Sequence, residues 1–291
     1  MLKITFLGTS GSTPTIERNM PAIALQYEGS LFLWDAGECA QRQMMKYGIG
    51  YGSVDAIFIS HSHLDHYLGI FGLLETLTLS GTRRKIEIFG FEDFSWIEER
   101  YPFAKFSKIK NGRLYRGRDY SISAFPVKHC KGAHGLVFQE DDKIKFYEEK
   151  AHALGLHGRM FTDIQRKGWV EVRGKRVTLE EVTWKRKGRK IIYTGDSVPC
   201  DSIAEQAKNA EVLIHDATFD PERKEDAMER MHSTMEDAAY VAKRAGVKQL
   251  ILTHFSPRYP DVKPFEEKIK KIFPNTIFAY DGLTIEVKLE R

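Results

Sequence analysis

The chain predicts an α/β fold in which two sheets pack face to face with helices outside. Three observations lead there. Short apolar runs alternate with helical patterns in both halves of the chain, as in layered α/β architectures. Residues able to carry chemistry collect where those runs end. The 291 residues, 42% of them hydrophobic, suffice for one large domain carrying an insertion.

Taken in order, residues 4–7 predict a strand. The loop after it, Gly8-Thr9-Ser10-Gly11-Ser12-Thr13-Pro14, lacks the Gly-Lys-Ser/Thr of a nucleotide P-loop, so its glycines serve a tight turn. Residues 22–27 and 31–35 predict a hairpin turning at Glu28-Gly29-Ser30. A helix suits 41–46, a strand 56–60, a helix 68–79 and a strand 85–89. Residues 121–127 read as a strand with 136–139 as its partner. In the second half, strands are predicted at 190–193, 212–215 and 249–253. Helices are predicted at 203–207 and 236–245, the latter closed by Gly246.

Residues from about 140 to 190 break this rhythm. Between 150 and 190 twelve Lys or Arg face four Asp or Glu, a balance of +8, although the whole chain carries only +4. Such a segment is either a solvated face or an arm that holds an anionic polymer by its phosphates. Phe161 and Trp169 are read there as core packing, with base stacking as the alternative. His152 and His157 are read as surface residues.

Three scattered cysteines, Cys39, Cys130 and Cys200, form no disulfide framework and point to a reducing compartment. The N-terminus runs directly into a strand pattern, and no apolar stretch is long enough to span a bilayer. A cytoplasmic protein with no membrane partner is the expectation.

The densest signal is Ser60-His61-Ser62-His63-Leu64-Asp65-His66, directly after an apolar run. Imidazole and carboxylate suit borderline-soft cations such as Zn²⁺. A strand end followed by a tight turn can spread them over two sites. His129, Asp196 and His254 follow at later strand ends, with His134 a rival to His129. Five imidazoles and two carboxylates suffice for two ions if one carboxylate bridges, which implies hydrolysis, most naturally of a phosphodiester.

The ligand order, HxHxDH, then a lone His, a Gly-Asp and a late His, resembles the metallo-β-lactamase superfamily. Within it the chain resembles ribonuclease Z, the tRNA 3′-processing endonuclease family. Leu7-Gly8-Thr9-Ser10-Gly11, His215-Asp216-Ala217-Thr218, His232-Ser233-Thr234 and Thr253-His254-Phe255-Ser256-Pro257-Arg258-Tyr259 carry that likeness. It implies an αββα four-layer sandwich over 1–291, with the basic insertion as an arm. It implies two Zn²⁺, with Mn²⁺ or Fe²⁺ as alternatives. His61, His63 and His129 would hold one ion, and Asp65, His66 and His254 the other, with Asp196 bridging. Asp65 would help deprotonate the attacking water. His232 would protonate the leaving 3′ oxygen, oriented by Asp216, where the family usually has the longer Glu. Precursor tRNA is the implied partner and a homodimer the implied assembly. Lys185, Arg186 and Lys187 of the arm, together with Arg258, are the substrate-binding candidates; for Arg258 and Tyr259 a packing role is the alternative. The arm stretch Gly155-Leu156-His157-Gly158-Arg159-Met160 departs from the family in having no proline.

Two other readings stand beside this one. A related phosphodiesterase would act on small diesters or another nucleic acid. A non-catalytic RNA-binding module would leave the ligand positions without purpose.

Overall fold

The computed structural model describes residues 1–91 and 94–289. They form two compact units, one of Met1–Gln139 with Arg189–Arg291 and one of Glu140–Gly188.

The larger unit contains two seven-stranded sheets. In the first, the strand order is Thr284–Glu286, Leu2–Gly8, Ala22–Tyr27, Ser30–Ala36, Ala56–Phe58, Ile86–Gly90 and Ala104–Lys108. Pairing is antiparallel as far as Ser30–Ala36 and parallel beyond it. In the second, the order is Thr276–Phe278, Gln249–Thr253, Val212–Asp216, Lys190–Tyr193, His134–Glu140, Tyr120–Pro126 and Gly112–Arg116. Its first four strands run parallel.

Both faces of the central strands are buried, which is why their sequences are continuously apolar rather than alternating. Successive side chains still point to opposite faces. In Ser30–Ala36, Phe32 and Trp34 enter the core between the sheets, with Phe6, Phe58, Leu136, Tyr193 and Ile251. Leu31 and Leu33 face the other way, where Ala40 and Met44 of helix Ala40–Lys46 and Ile70, Leu73 and Leu77 of helix Gly69–Leu79 cover them. The second sheet is covered likewise by Ile203, Ala238, Ala242 and Ile269, from three helices packed on Val137, Leu213 and Leu250. Three apolar layers therefore separate four layers of secondary structure, the predicted αββα sandwich.

The smaller unit has its own core. Hairpin Trp169–Val172 with Lys175–Thr178, the pair Lys143–Phe146 with Thr183–Arg186, and helices Glu148–Ala153, Met160–Lys167 and Leu179–Val182 enclose Ala151, Leu156, Ile164, Val170, Val172, Val177 and Val182. Phe161 packs against this cluster, 4.9 Å from Phe146. The reading of Trp169 as core is corrected. It is 40% exposed, with the Arg176 guanidinium 4.6 Å over its ring, because the alternating hairpin turns Trp169 outward and Val170 inward. Arg189 and Lys190 also leave the basic run. They belong to the larger unit, where buried Arg189 donates to the Val287 carbonyl and Lys190 to those of Gln206 and Lys208.

Candidate metal centre and acid pair

Five segment ends of the larger unit supply the site. His61–His66 follow strand Ala56–Phe58, His129 follows Tyr120–Pro126, Asp196 follows Lys190–Tyr193, Asp216 ends Val212–Asp216, and His254 follows Gln249–Thr253. Besides a group in which Asp196, Asp216 and His254 meet His232, their donor atoms form two more, His61, His63, His129 and Asp196, and Asp65, His66 and His254. Within each group all lie within 4.8 Å of one another. Asp196 faces both. Its Oδ2 lies 3.2 Å from His254 Nε2, 3.3 Å from His66 Nε2, 3.6 Å from His61 Nε2 and 3.7 Å from His129 Nε2. His63 Nδ1 meets His129 Nε2 at 3.0 Å. Asp65 Oδ2 is 3.6 Å from His66 Nε2 and 3.7 Å from His254 Nε2.

These residues fit divalent cations by a further criterion. Among the described residues, Nε2 of His61, His66 and His254 and Oδ1 of Asp196 are buried with no hydrogen-bond partner. Buried polar atoms are normally paired. Four such orphaned atoms suit divalent cations, which take nitrogen and carboxylate oxygen as donors.

Outer contacts aim the rings, because hydrogen bonding at one nitrogen assigns the lone pair to the other. His66 Nδ1 donates to Asp35 Oδ2 at 2.7 Å. Ser60 Oγ donates to that same oxygen at 2.8 Å and therefore accepts from His61 Nδ1 at 3.0 Å. His129 Nδ1 donates to the Met231 carbonyl at 2.8 Å. Thr218 Oγ1 donates to Asp216 Oδ1 at 2.6 Å and accepts from His254 Nδ1 at 2.7 Å. Asp35 and the hub position of Thr218 were not foreseen in the sequence. The available signal for Asp35 was one carboxylate ending the otherwise apolar stretch Leu31-Phe32-Leu33-Trp34.

Beside the centre, His232 Nδ1 lies 2.8 Å from Asp216 Oδ2. The shorter carboxylate reaches because the backbone N–H groups of Thr218, Ser197 and Ser233 fix it at 2.8, 3.1 and 3.3 Å. Thr234 then caps helix Met235–Ala245 with Asp237 in a capping box. Burial works against charge on His232, but Asp216 outweighs it and raises the pKa to about 9. Burial raises Asp216 in turn, and His232 outweighs that and lowers it. Burial, with His66 adding to it, keeps His61 well below the ordinary imidazole range, which suits a neutral ligand.

The remaining candidates fall elsewhere. His134 turns its Nδ1 to the Gly132 carbonyl at 2.7 Å and joins none of the ligand groups. Arg258 lies over Phe219 at 5.2 Å and donates to Ser256 Oγ at 3.1 Å. The Tyr259 hydroxyl accepts from the Asp220 N–H at 3.2 Å, and its ring is buried, a packing role. Lys185, Arg186 and Lys187 belong to the smaller unit, where Lys185 pairs with Asp142 at 2.8 Å. His152 and His157 are exposed.

Known proteins resemble this chain in sequence and fold. A family model described as the beta-lactamase superfamily domain matches residues 151–255, and one described as anti-Pycsar protein Apyc1 matches 2–95. The metallo-beta-lactamase fold protein YhfI from Bacillus subtilis superposes with a TM-score of 0.72 at 19% identity, over 98% of both chains. Human tRNase Z, short form, superposes with a TM-score of 0.70 at 26% identity, over 99% of this chain and 100% of that one. Ribonuclease Z of Archaeoglobus fulgidus is 41% identical over 100% of this chain and 99% of its own length. With that identity along its whole length, the chain belongs to the ribonuclease Z family of the metallo-β-lactamase superfamily.

Proposed function

We propose that the protein is a zinc-dependent endoribonuclease that removes the 3′ trailer from precursor tRNA. The observation that carries this is the convergence of two ligand groups on Asp196 beside a buried His232–Asp216 pair. His61, His63 and His129 would hold one Zn²⁺, and Asp65, His66 and His254 the other, with Asp196 shared; Mn²⁺ and Fe²⁺ suit the same donors. When bound, such a pair supplies Lewis-acid activation of water and stabilises charge building on the phosphate.

The chain's own residues move the protons. Asp65 orients the attacking water and takes its proton. His232 holds one proton on Nδ1 against Asp216 and gives the other, from Nε2, to the leaving ribose 3′ oxygen. The new P–O bond forms to water as the P–O3′ bond breaks, so the tRNA keeps a 3′-hydroxyl and the trailer a 5′-phosphate. An alkoxide leaves poorly, and a placed acid contributes about 10²–10⁴-fold.

Lys185, Arg186, Lys187 and Arg258 are the proposed tRNA contacts, and a homodimer the proposed assembly. The proposed location is the cytoplasm, which agrees with three free cysteines. Among the described residues no helix is long and apolar enough to cross a membrane. The proline-free stretch 155–160 favours a second reading, hydrolysis of small diesters or another nucleic acid. Incubation with precursor tRNA and with a small chromogenic diester separates the two. Cleavage of the tRNA at the end of its acceptor stem supports the first reading; turnover of the small diester alone supports the second.

A further inference from the structure

The Gly-rich loop after the first strand has no part in the reaction described above, yet it touches two of the candidate ligands. One carboxylate holds both stems of segment 9–19. Asp281 accepts from Thr9 Oγ1 at 2.8 Å and from the Asn19 N–H at 2.7 Å. Gln43 Nε2 donates to the same carboxylate at 3.0 Å and to the Leu7 carbonyl at 2.6 Å. The Ser10 N–H closes the stems on the Asn19 carbonyl at 3.0 Å. On the other side, the Gly11 N–H donates to the Phe255 carbonyl and the Phe255 N–H to that of Thr9, both at 2.9 Å. Buried Arg18 donates to the Tyr259 carbonyl at 2.7 Å and lies over Phe255 at 5.2 Å.

The middle of this fixed segment meets the metal centre twice. Ser12, at φ +62°, donates its backbone N–H to Asp65 Oδ2 at 3.1 Å. Gly11 lies so close to His254 that a Cβ would stand 2.7 Å from ring Cε1 and Nδ1 and 3.0 Å from the carbonyl oxygen. His254 has little freedom to yield, being held at φ +63° and by Thr218.

We infer that segment 9–19 is a clamp that sets the Asp65–His254 ligand pair, with Gly11 and Ser12 as positioning residues and Asp281 as their anchor. The inference rests on the proposed reading of Asp65 and His254 as ligands of one of two ions. A backbone N–H orients a carboxylate without rotamer freedom of its own, and a missing Cβ leaves the imidazole room to face inward. Among the described residues no hydrogen bond joins segment 9–19 to the other ion's histidines, which bond instead to Ser60 (His61), to one another (His63 and His129) and to Met231 (His129), so one of the two sites should respond and the other should not.

Zinc titration of the full-length protein against a chelating competitor tests this in wild type, Gly11→Ala, Asp281→Asn and His254→Ala. Wild type should bind two ions. Gly11→Ala should keep one affinity and weaken the other by about tenfold or more, and Asp281→Asn should weaken the same one. On precursor tRNA both should lose kcat with KM unchanged. Should Gly11→Ala not fold, Asp281→Asn carries the test. Two wild-type affinities in both variants, beside a lost site in His254→Ala, overturn the clamp. Two wild-type affinities in His254→Ala as well overturn the ligand reading on which it rests.

Discussion

Asp35 Oδ2 accepts from His66 Nδ1 at 2.7 Å and from the Tyr193 hydroxyl at 2.7 Å, so one buried oxygen joins a candidate ligand to a residue of the opposite sheet. Ser60 adds its N–H and Oγ–H to the same carboxylate. Asp35 is held at φ +56°, a conformation seldom adopted outside glycine and a few short polar residues. Replacing Asp35 with Ala frees the His66 ring and leaves the three other donors, from Tyr193 and Ser60, without this acceptor. Metal affinity should fall about 10- to 100-fold, read by chelator competition; an unchanged affinity would mean that the carboxylate only braces the sheets.

Asp65→Ala removes a candidate ligand and the proposed base together. Cleavage of precursor tRNA should be abolished at saturating metal. Appreciable turnover at high zinc would show that another group takes the proton.

How much of this was legible beforehand differs by element. The ligands stood out because the chemistry needs rare residue types close together, as in His61-Ser62-His63-Leu64-Asp65-His66. Central strands were legible because burial on both faces makes their runs apolar, as in Val212-Leu213-Ile214. Edge strands were not. Gly112–Arg116 and Ala104–Lys108 are short, basic and half exposed, so neither alternation nor apolarity marks them. The smaller unit hid its elements because a few residues such as Val170, Val177 and Ile164 form its core among many charges. Asp35 and Asp281 were missed because their partners, Tyr193 and Thr9 among them, are distant in sequence.

Lys185, Arg186 and Lys187 test the smaller unit. Their joint replacement by Ala should weaken tRNA binding and reduce the slope of log affinity against log salt by up to about 3, roughly one per lost phosphate contact. Filter binding across a salt series reads this directly. An unchanged slope removes these residues from the docking surface.

The His232–Asp216 pair predicts a pH effect of defined sign. An acid must carry its proton, so cleavage should decline as pH rises through the His232 pKa, raised by Asp216 to about 9. Asp216→Asn removes the main charge that opposes burial and leaves the lesser one of Asp196, so the alkaline limb should move to lower pH. A pH–kcat profile of the two proteins decides it; a limb that stays in place assigns that titration elsewhere.

The most direct measurement compares His232→Ala with wild type on two precursor tRNAs, one normal and one with sulfur replacing the bridging 3′ oxygen at the cut. A thiolate leaves without a proton, so only the normal linkage needs the acid. His232→Ala should be slower by about 10²–10⁴-fold on the oxygen linkage and close to wild type on the sulfur one, with both cut at the end of the acceptor stem. An equal deficit on both linkages would contradict the role of His232 as proton donor, and no cut in either would contradict the tRNA endonuclease itself.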